Sequence, residues 1–309
     1  MLKFAGAFVV AGLLAVCSLG AAERIEIDWS RVIPVDELDH YWRRLPAEMQ
    51  YLRNTRPSGR VVGGYPATAG QFPYQALLLS DLGNGYSSVC GGTVITSNYI
   101  LTAAHCVTDD FKNILNGGVA ILGAKDRTVY EATQQRISYA RANIRVHPAY
   151  DVNNILNDIA TVRLNAPAVF GSYVKAIALP ARSDSRTFAG FEGTVSGFGR
   201  TSDAPGSSIS SVLMYTRNPV MSQAQCNLQW STSQVLAQHV CFDPAGGRAT
   251  CNGDSGGPLA VQDAGRSLQV GITSFGAAVG CAAGYPSVFV RISYYRDWIA
   301  QNSDYVFGA

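Results

Sequence analysis

Three residues of this chain could together make a weak group reactive. Ser255 lies in the run Gly253-Asp254-Ser255-Gly256-Gly257-Pro258, and His105 lies far upstream in Thr102-Ala103-Ala104-His105-Cys106. A serine hydroxyl is a poor nucleophile near neutral pH. It needs an adjacent base, usually histidine, and that base needs a third group to fix its tautomer. Asp158, in Asn157-Asp158-Ile159-Ala160, is the obvious third group. Taken singly, each residue has an ordinary explanation. A lone histidine is usually structural, a lone aspartate before an apolar strand is usually a turn or cap, and Gly-x-Ser-x-Gly arises by chance. The longer run around Ser255, the run around His105 and the order His, Asp, Ser together point to acyl transfer.

On these motifs the chain resembles secreted serine proteases of the chymotrypsin/trypsin family, from Val61 to Ala309. The resemblance implies an all-β fold: two packed antiparallel six-stranded β-barrels, about 61–170 and 171–293, and a C-terminal helix over 294–303. It implies that Ser255 attacks the scissile carbonyl, His105 is general base and then acid, and Asp158 orients His105. Backbone N–H groups of Gly253 and Ser255 are expected to form the oxyanion hole.

Strand-like runs agree with that fold. Gln75–Leu79, Thr93–Ile95, Asp158–Leu164, Gly193–Ser196, Leu268–Ile272 and Ser287–Ile292 are separated by clusters of Gly, Pro, Asn and Ser. The tail carries Tyr295, Trp298 and Ile299, an apolar stripe suited to a closing helix. The run Thr201–Ser211 reads as a polar surface loop.

Residues 1–22 read as a secretory signal peptide: Lys3, an apolar stretch from Phe4 to Val16, then small residues Ser18, Gly20, Ala21 and Ala22. The stretch is shorter than the roughly 20 residues that span a bilayer, so no membrane anchor is expected. Of seven cysteines, Cys17 falls in the signal, and the remaining six suit a disulfide set in a secreted chain. Their pairing is open from the sequence. The resemblance implies Cys90–Cys106, Cys226–Cys241 and Cys251–Cys281.

Residues 23–60 form a charged, cysteine-free segment ending Arg56-Pro57-Ser58-Gly59-Arg60, before Val61-Val62-Gly63-Gly64. This resembles the family's zymogen site, cut between Arg60 and Val61 by a trypsin-like protease. The new Val61 ammonium is then expected to pair with Asp254. An unpartnered buried charge is costly, so the pair can order the loop that builds the oxyanion hole. Val35, Leu38, Tyr41, Trp42 and Leu45 share a helical face, so the propeptide reads either as a short amphipathic helix covering the enzyme or as a disordered leader. With no disulfide to hold it, its release after cleavage is expected.

The resemblance also locates the specificity pocket. Its floor is Ala249, followed by Thr250, and its walls are Ser274-Phe275-Gly276 and Ser287. A buried Arg or Lys head group needs a counter-charge, which neither Ala249 nor Ser287 supplies. Gly276 leaves the pocket open, so large apolar or aromatic residues are favoured, as in chymotrypsin. Thr250 and Ser287 keep a smaller, elastase-like preference as the alternative. Ser274 and Gly276 are expected to pair with the substrate backbone as an added strand. Phe275 stands where the family usually has Trp, which alters finer subsites.

No cofactor and no metal are expected. The net charge of +2 with no basic run gives no nucleic-acid partner, and four histidines without metal-ligand spacing give no zinc site. Ala124 and Lys125 occupy a loop where calcium-binding relatives carry acids. The expected partners are protein or peptide substrates, a trypsin-like activator and protein inhibitors, acting on a monomer. The leading reading is a secreted digestive endopeptidase similar to arthropod enzymes, including the collagenolytic brachyurin group. The alternatives are a regulatory or venom protease, which usually cleaves after Arg, and a non-catalytic binding homologue, which usually lacks a member of the Ser/His/Asp set.

Overall fold

The computed structural model describes residues 24–38, 64–201, 208–251, 253–276, 281 and 284–308. The expected signal peptide and the cleavage site at Arg60–Val61 therefore lie outside the described residues, as do 202–207 of the polar loop.

The strands, in chain order, are β1 (Val32–Pro34), β2 (Tyr65–Pro66), β3 (Gln75–Gly83), β4 (Tyr86–Val94), β5 (Tyr99–Thr102), β6 (Gly117–Leu122), β7 (Gln135–Ala140), β8 (Ile144–Val146) and β9 (Ala160–Arg163) in the first half. The second half supplies β10 (Glu192–Gly197), β11 (Met214–Met221), β12 (His239–Phe242), β13 (Pro258–Asp263), β14 (Arg266–Phe275) and β15 (Ser287–Arg291). The α-helices among the described residues are short: α1 (Gln223–Cys226) and α2 (Arg296–Gln301).

The first sheet runs β7-β6-β3-β4-β5-β9-β8. β7 and β8 are separated only by a 3-10 turn, Arg141–Asn143. They act as one bent strand, pairing with β6 on one side and β9 on the other, and this closes a barrel of six strands. The second sheet runs β10-β13-β14-β15-β12-β11, and a β10–β11 pairing closes it. β3 reads as a nearly unbroken apolar run, because both of its faces meet protein. The β13–β14 hairpin turns on Ala264-Gly265, both with positive φ, the geometry that matches strand twist across a two-residue loop.

Two features depart from the sequence reading. Tyr65–Pro66 pairs with β11, so the start of the protease region joins the second barrel and not the first. The tail helix is shorter than 294–303, because a 3-10 turn at Ile292–Tyr294 precedes it. Helix α2 follows the second barrel but packs on the first. Ile299 is fully buried, and Thr161 Oγ1 donates to the Asn302 carbonyl at 2.7 Å. It clamps the two barrels together and so fixes the cleft between them.

The segment 24–38 is not a free leader, and most of the expected helical face, which runs on to Leu45, lies outside the described residues. The segment forms 3-10 turns and β1, which adds to the first barrel in parallel with Ser87–Val89 of β4. Val35 is buried and Leu38 packs against the core, whereas Tyr41, Trp42 and Leu45 lie outside the described residues.

Candidate active site

His105 sits on a buried 3-10 turn, Ala104–Cys106, directly after β5. The turn is pinned to β4 by the Cys90–Cys106 disulfide, with an S–S distance of 2.00 Å. Such a closed loop, with a sequence separation of 16, is worth about 3 kcal/mol on loop-closure grounds. The remaining sulfurs also pair as the resemblance implies, Cys226–Cys241 and Cys251–Cys281.

Asp158 precedes β9 on a tightly held loop. Ile155 and Asn157 both have positive φ, a conformation unfavourable for a β-branched side chain such as isoleucine. The surroundings enforce it: Asn157 donates its backbone N–H to Gln238 Oε1 at 2.7 Å and its side-chain amide to the Ala149 carbonyl at 2.8 Å, and Tyr295 Oη donates to Asn157 Oδ1 at 2.9 Å. The loop thereby aims a fully buried carboxylate at His105. His105 donates its backbone N–H to Asp158 Oδ1 at 3.0 Å, and its Nδ1 lies 2.8 Å from Asp158 Oδ2. Ser274 Oγ donates to the same Oδ2 at 2.6 Å. Burial alone would push this carboxyl up, but the charge of His105 and the hydrogen bonds from His105 and Ser274 hold it below the usual carboxylate range. An ionised Asp158 fixes the proton on Nδ1, which leaves Nε2 as the basic nitrogen.

Ser255 lies on a backbone knot between the two barrels. Its carbonyl accepts from Gly91 N of β4 at 2.7 Å and lies 3.5 Å from Cys106 Sγ. The amides of Gly256 and Gly257 donate to the carbonyls of Thr273 and Asp254. Gly253 and Gly256 have positive φ, and a Cβ on Gly256 would lie 2.2 Å from Thr102 Oγ1. Only glycine lets this knot close against the turn carrying His105.

Asp254 points the other way, into the second barrel. Its Oδ1 accepts from Gly199 N at 2.8 Å and its Oδ2 from Cys251 N at 3.0 Å. A Cβ on Gly197 or Gly199 would strike the carboxylate at 2.1 or 2.5 Å. Asp254 lines a cavity of about 80 Å³ together with Gly64, Gly199, Met214 and Tyr215. Burial pushes its pKa up to about 6, against two backbone hydrogen bonds that lower it.

Of the expected pocket residues, Ala249 lines this same cavity beside Asp254. Ala249 and Ser287 are buried, and Thr250 N donates to Ser287 Oγ at 3.2 Å. A Cβ on Gly276 would meet nothing within 4 Å. The Cys251–Cys281 disulfide ties the two sides. Sequence reasoning missed what lies behind the wall. Trp230 packs edge-on against Phe275, with ring centroids 5.4 Å apart, and its Nε1 donates to the Pro286 carbonyl at 3.0 Å. His239 packs on Phe275 at 5.7 Å, and burial lowers its pKa to about 4, so it is neutral at pH 7. The second role of Ser274, its hydroxyl bond to Asp158, was also missed. In the loop at Lys125–Asp126, the backbone N–H groups of Lys125 and Asp126 donate to Glu131 Oε2 at 2.7 and 3.1 Å.

Comparison with known proteins agrees with this geometry. The Trypsin family model matches residues 61–299. The chain is 39% identical to Brachyurin of Leptuca pugilator over 239 residues, which is 77% of this chain and 96% of that relative. It is 36% identical to Trypsin-1 of Astacus astacus over 247 residues, covering 79% of this chain and all of that relative. Among solved structures, HL collagenase superposes with a TM-score of 0.69 at 32% identity, covering 79% of this chain and 99% of that one. The chain belongs to the trypsin family. It is a serine endopeptidase, a hydrolase of peptide bonds with the two-barrel fold of that family.

Proposed function

We propose that this protein is a secreted, monomeric digestive endopeptidase, made as a zymogen and activated by cleavage between Arg60 and Val61, that cuts after large apolar or aromatic residues. The observation that carries the catalytic assignment is the Asp158 carboxylate, buried and ionised against His105 Nδ1 at 2.8 Å. In this reading Ser255 Oγ attacks the scissile carbonyl as His105 Nε2 takes its proton. The oxyanion rests on the N–H groups of Gly253 and Ser255. His105 then protonates the departing amine, and water repeats the sequence on the acyl-enzyme to release the acid and restore Ser255.

Activation has its own support. Asp254 is an acid held at high cost beside a cavity, and Gly64, on that cavity's wall, stands only three residues after Val61. A new ammonium on Val61 would relieve that cost and stabilise the knot that carries Gly253. The pocket preference rests on the buried, uncharged Ala249 and Ser287 and on the open space at Gly276. Cleavage of collagen is a second reading, supported by the likeness to HL collagenase.

The test is cleavage of a mixed peptide library by protein cut after Arg60, with Ser255→Ala as control. Cuts after Phe, Tyr, Leu or Met that vanish in the control are expected. Cuts mainly after Arg or Lys would overturn the pocket assignment.

A further inference from the structure

Residues 24–38 are held against the protease by contacts along their whole length. At one end the Arg24 guanidinium lies 4.5 Å from the Tyr130 ring centroid, and Arg136 Nη1 donates to the Ile25 carbonyl at 2.8 Å. Next, the Arg127 guanidinium stacks 4.6 Å from the Trp29 ring centroid. Arg127 is itself fixed, its Nε donating to the Ser210 carbonyl at 2.8 Å. β1 then pairs with β4, Val35 is 1% exposed, and Glu37 pairs with Arg200 at 2.5 Å. Backbone pairing, a buried anchor and charge contacts at intervals are the parts of strand-addition recognition.

The position of this strand relative to Ser255 gives it a consequence. The nucleophile knot is gripped on one flank by Thr273 of β14 and on the other by Gly91 of β4. The expected acyl-side strand lies along Ser274–Gly276, the end of β14 and the residue after it, so the leaving-group side faces β4. β1 pairs with Ser87–Val89, and Val89 is two residues, about 7 Å of strand, from Gly91. At its far end Glu37 reaches Arg200, the neighbour of Gly199, whose N–H holds Asp254. The segment therefore runs beside the nucleophile, where substrate residues following the scissile bond must lie.

We propose that residues 24–38 are a strand-adding plug on the leaving-group side of the cleft, which stays bound without a covalent link after cleavage at Arg60 and competes there with extended substrates. This rests on the reading of Arg60–Val61 as the activation site, and it replaces the release expected from the missing disulfide. The plug acts on protein substrates and spares short ones that end at the scissile bond.

The full chain is cut at Arg60 and freed of the leader in mild denaturant, and Val61 is confirmed as its first residue. A synthetic peptide of residues 24–38 is then added. Binding is followed through Trp29 fluorescence, and hydrolysis with two substrates: a quenched peptide extending four residues past the scissile bond, and a p-nitroanilide of the same acyl portion. The expected result is at least a tenfold rise in KM for the extended substrate with under twofold change for the p-nitroanilide. Val35→Asp in the peptide weakens binding about a hundredfold, because a charge enters a buried site. Glu37→Arg weakens it about fivefold, and Arg200→Glu in the enzyme restores the loss. The peptide has no fold to lose, so these variants report the contact itself. Absent binding at millimolar peptide, equal inhibition of both substrates, or indifference to Val35→Asp would each overturn the plug. Failure to hydrolyse even the p-nitroanilide would instead overturn the enzymatic reading of the site, while the fluorescence signal would still decide the plug.

Discussion

If cleavage at Arg60 supplies a cation to Asp254, then the stability gained on cleavage must depend on pH. In the uncut chain the Asp254 carboxyl is lifted from its usual 3.8 to about 6. The folded chain then holds this proton more tightly than the unfolded chain does. Its contribution to stability is complete below pH 3.8 and is lost as pH rises through 6. At about 1.4 kcal/mol per pH unit of displacement, the total is at most about 3 kcal/mol, of which about 2 kcal/mol falls between pH 4.5 and 7.5. In the cut chain the Val61 ammonium keeps Asp254 ionised at no such cost. The Tm advantage of cut over uncut protein should therefore grow by about 4–8 °C between pH 4.5 and 7.5. The assay is calorimetry of Ser255→Ala protein, cut and uncut, at the two pH values. The inactive variant prevents self-digestion, and the comparison cancels the titrating groups common to both chains. A Tm difference that stays constant with pH would refute the role given to Asp254.

Two further perturbations test the site. Gly276→Val should leave Tm within about 2 °C, because its Cβ enters open space, yet lower kcat/KM for Phe and Tyr substrates about a hundredfold relative to Ala substrates. Kinetics on matched peptides reads this ratio. Asp158→Asn should cost about 10⁴ in kcat at neutral pH through the wrong His105 tautomer, while His105 stays in place; steady-state rates and the imidazole proton resonances report the two effects.

The sequence made the site legible because its chemistry rests on short runs with few alternatives. The runs around His105 and Ser255 name the reactive groups, and the glycines between them mark where backbones must touch. The Ser274 hydroxyl was hidden because a serine on a strand has no local sign of what it faces; only the meeting of β14 with the Asp158 loop supplies the partner. Trp230 and His239 were hidden for the same reason, both acting through Phe275 across the second barrel. The bend joining β7 to β8 is one 3-10 turn, too short to leave a periodic signal. In the described part of the leader, pairing of β1 to β4 and burial of Val35 set the local structure, and these outweigh a helical propensity worth tenths of a kcal/mol per residue.

The central claim is that Ser255 is a nucleophile made reactive by His105 and Asp158 once Val61 is freed. Labelling by an aromatic phosphonate, read by peptide mass mapping, tests it most directly. The account predicts one modification per molecule, on Ser255, fast in protein cut at Arg60, at least a hundredfold slower in uncut protein, and lost on His105→Ala. Labelling of another serine, or equal labelling of cut and uncut chains, would contradict it.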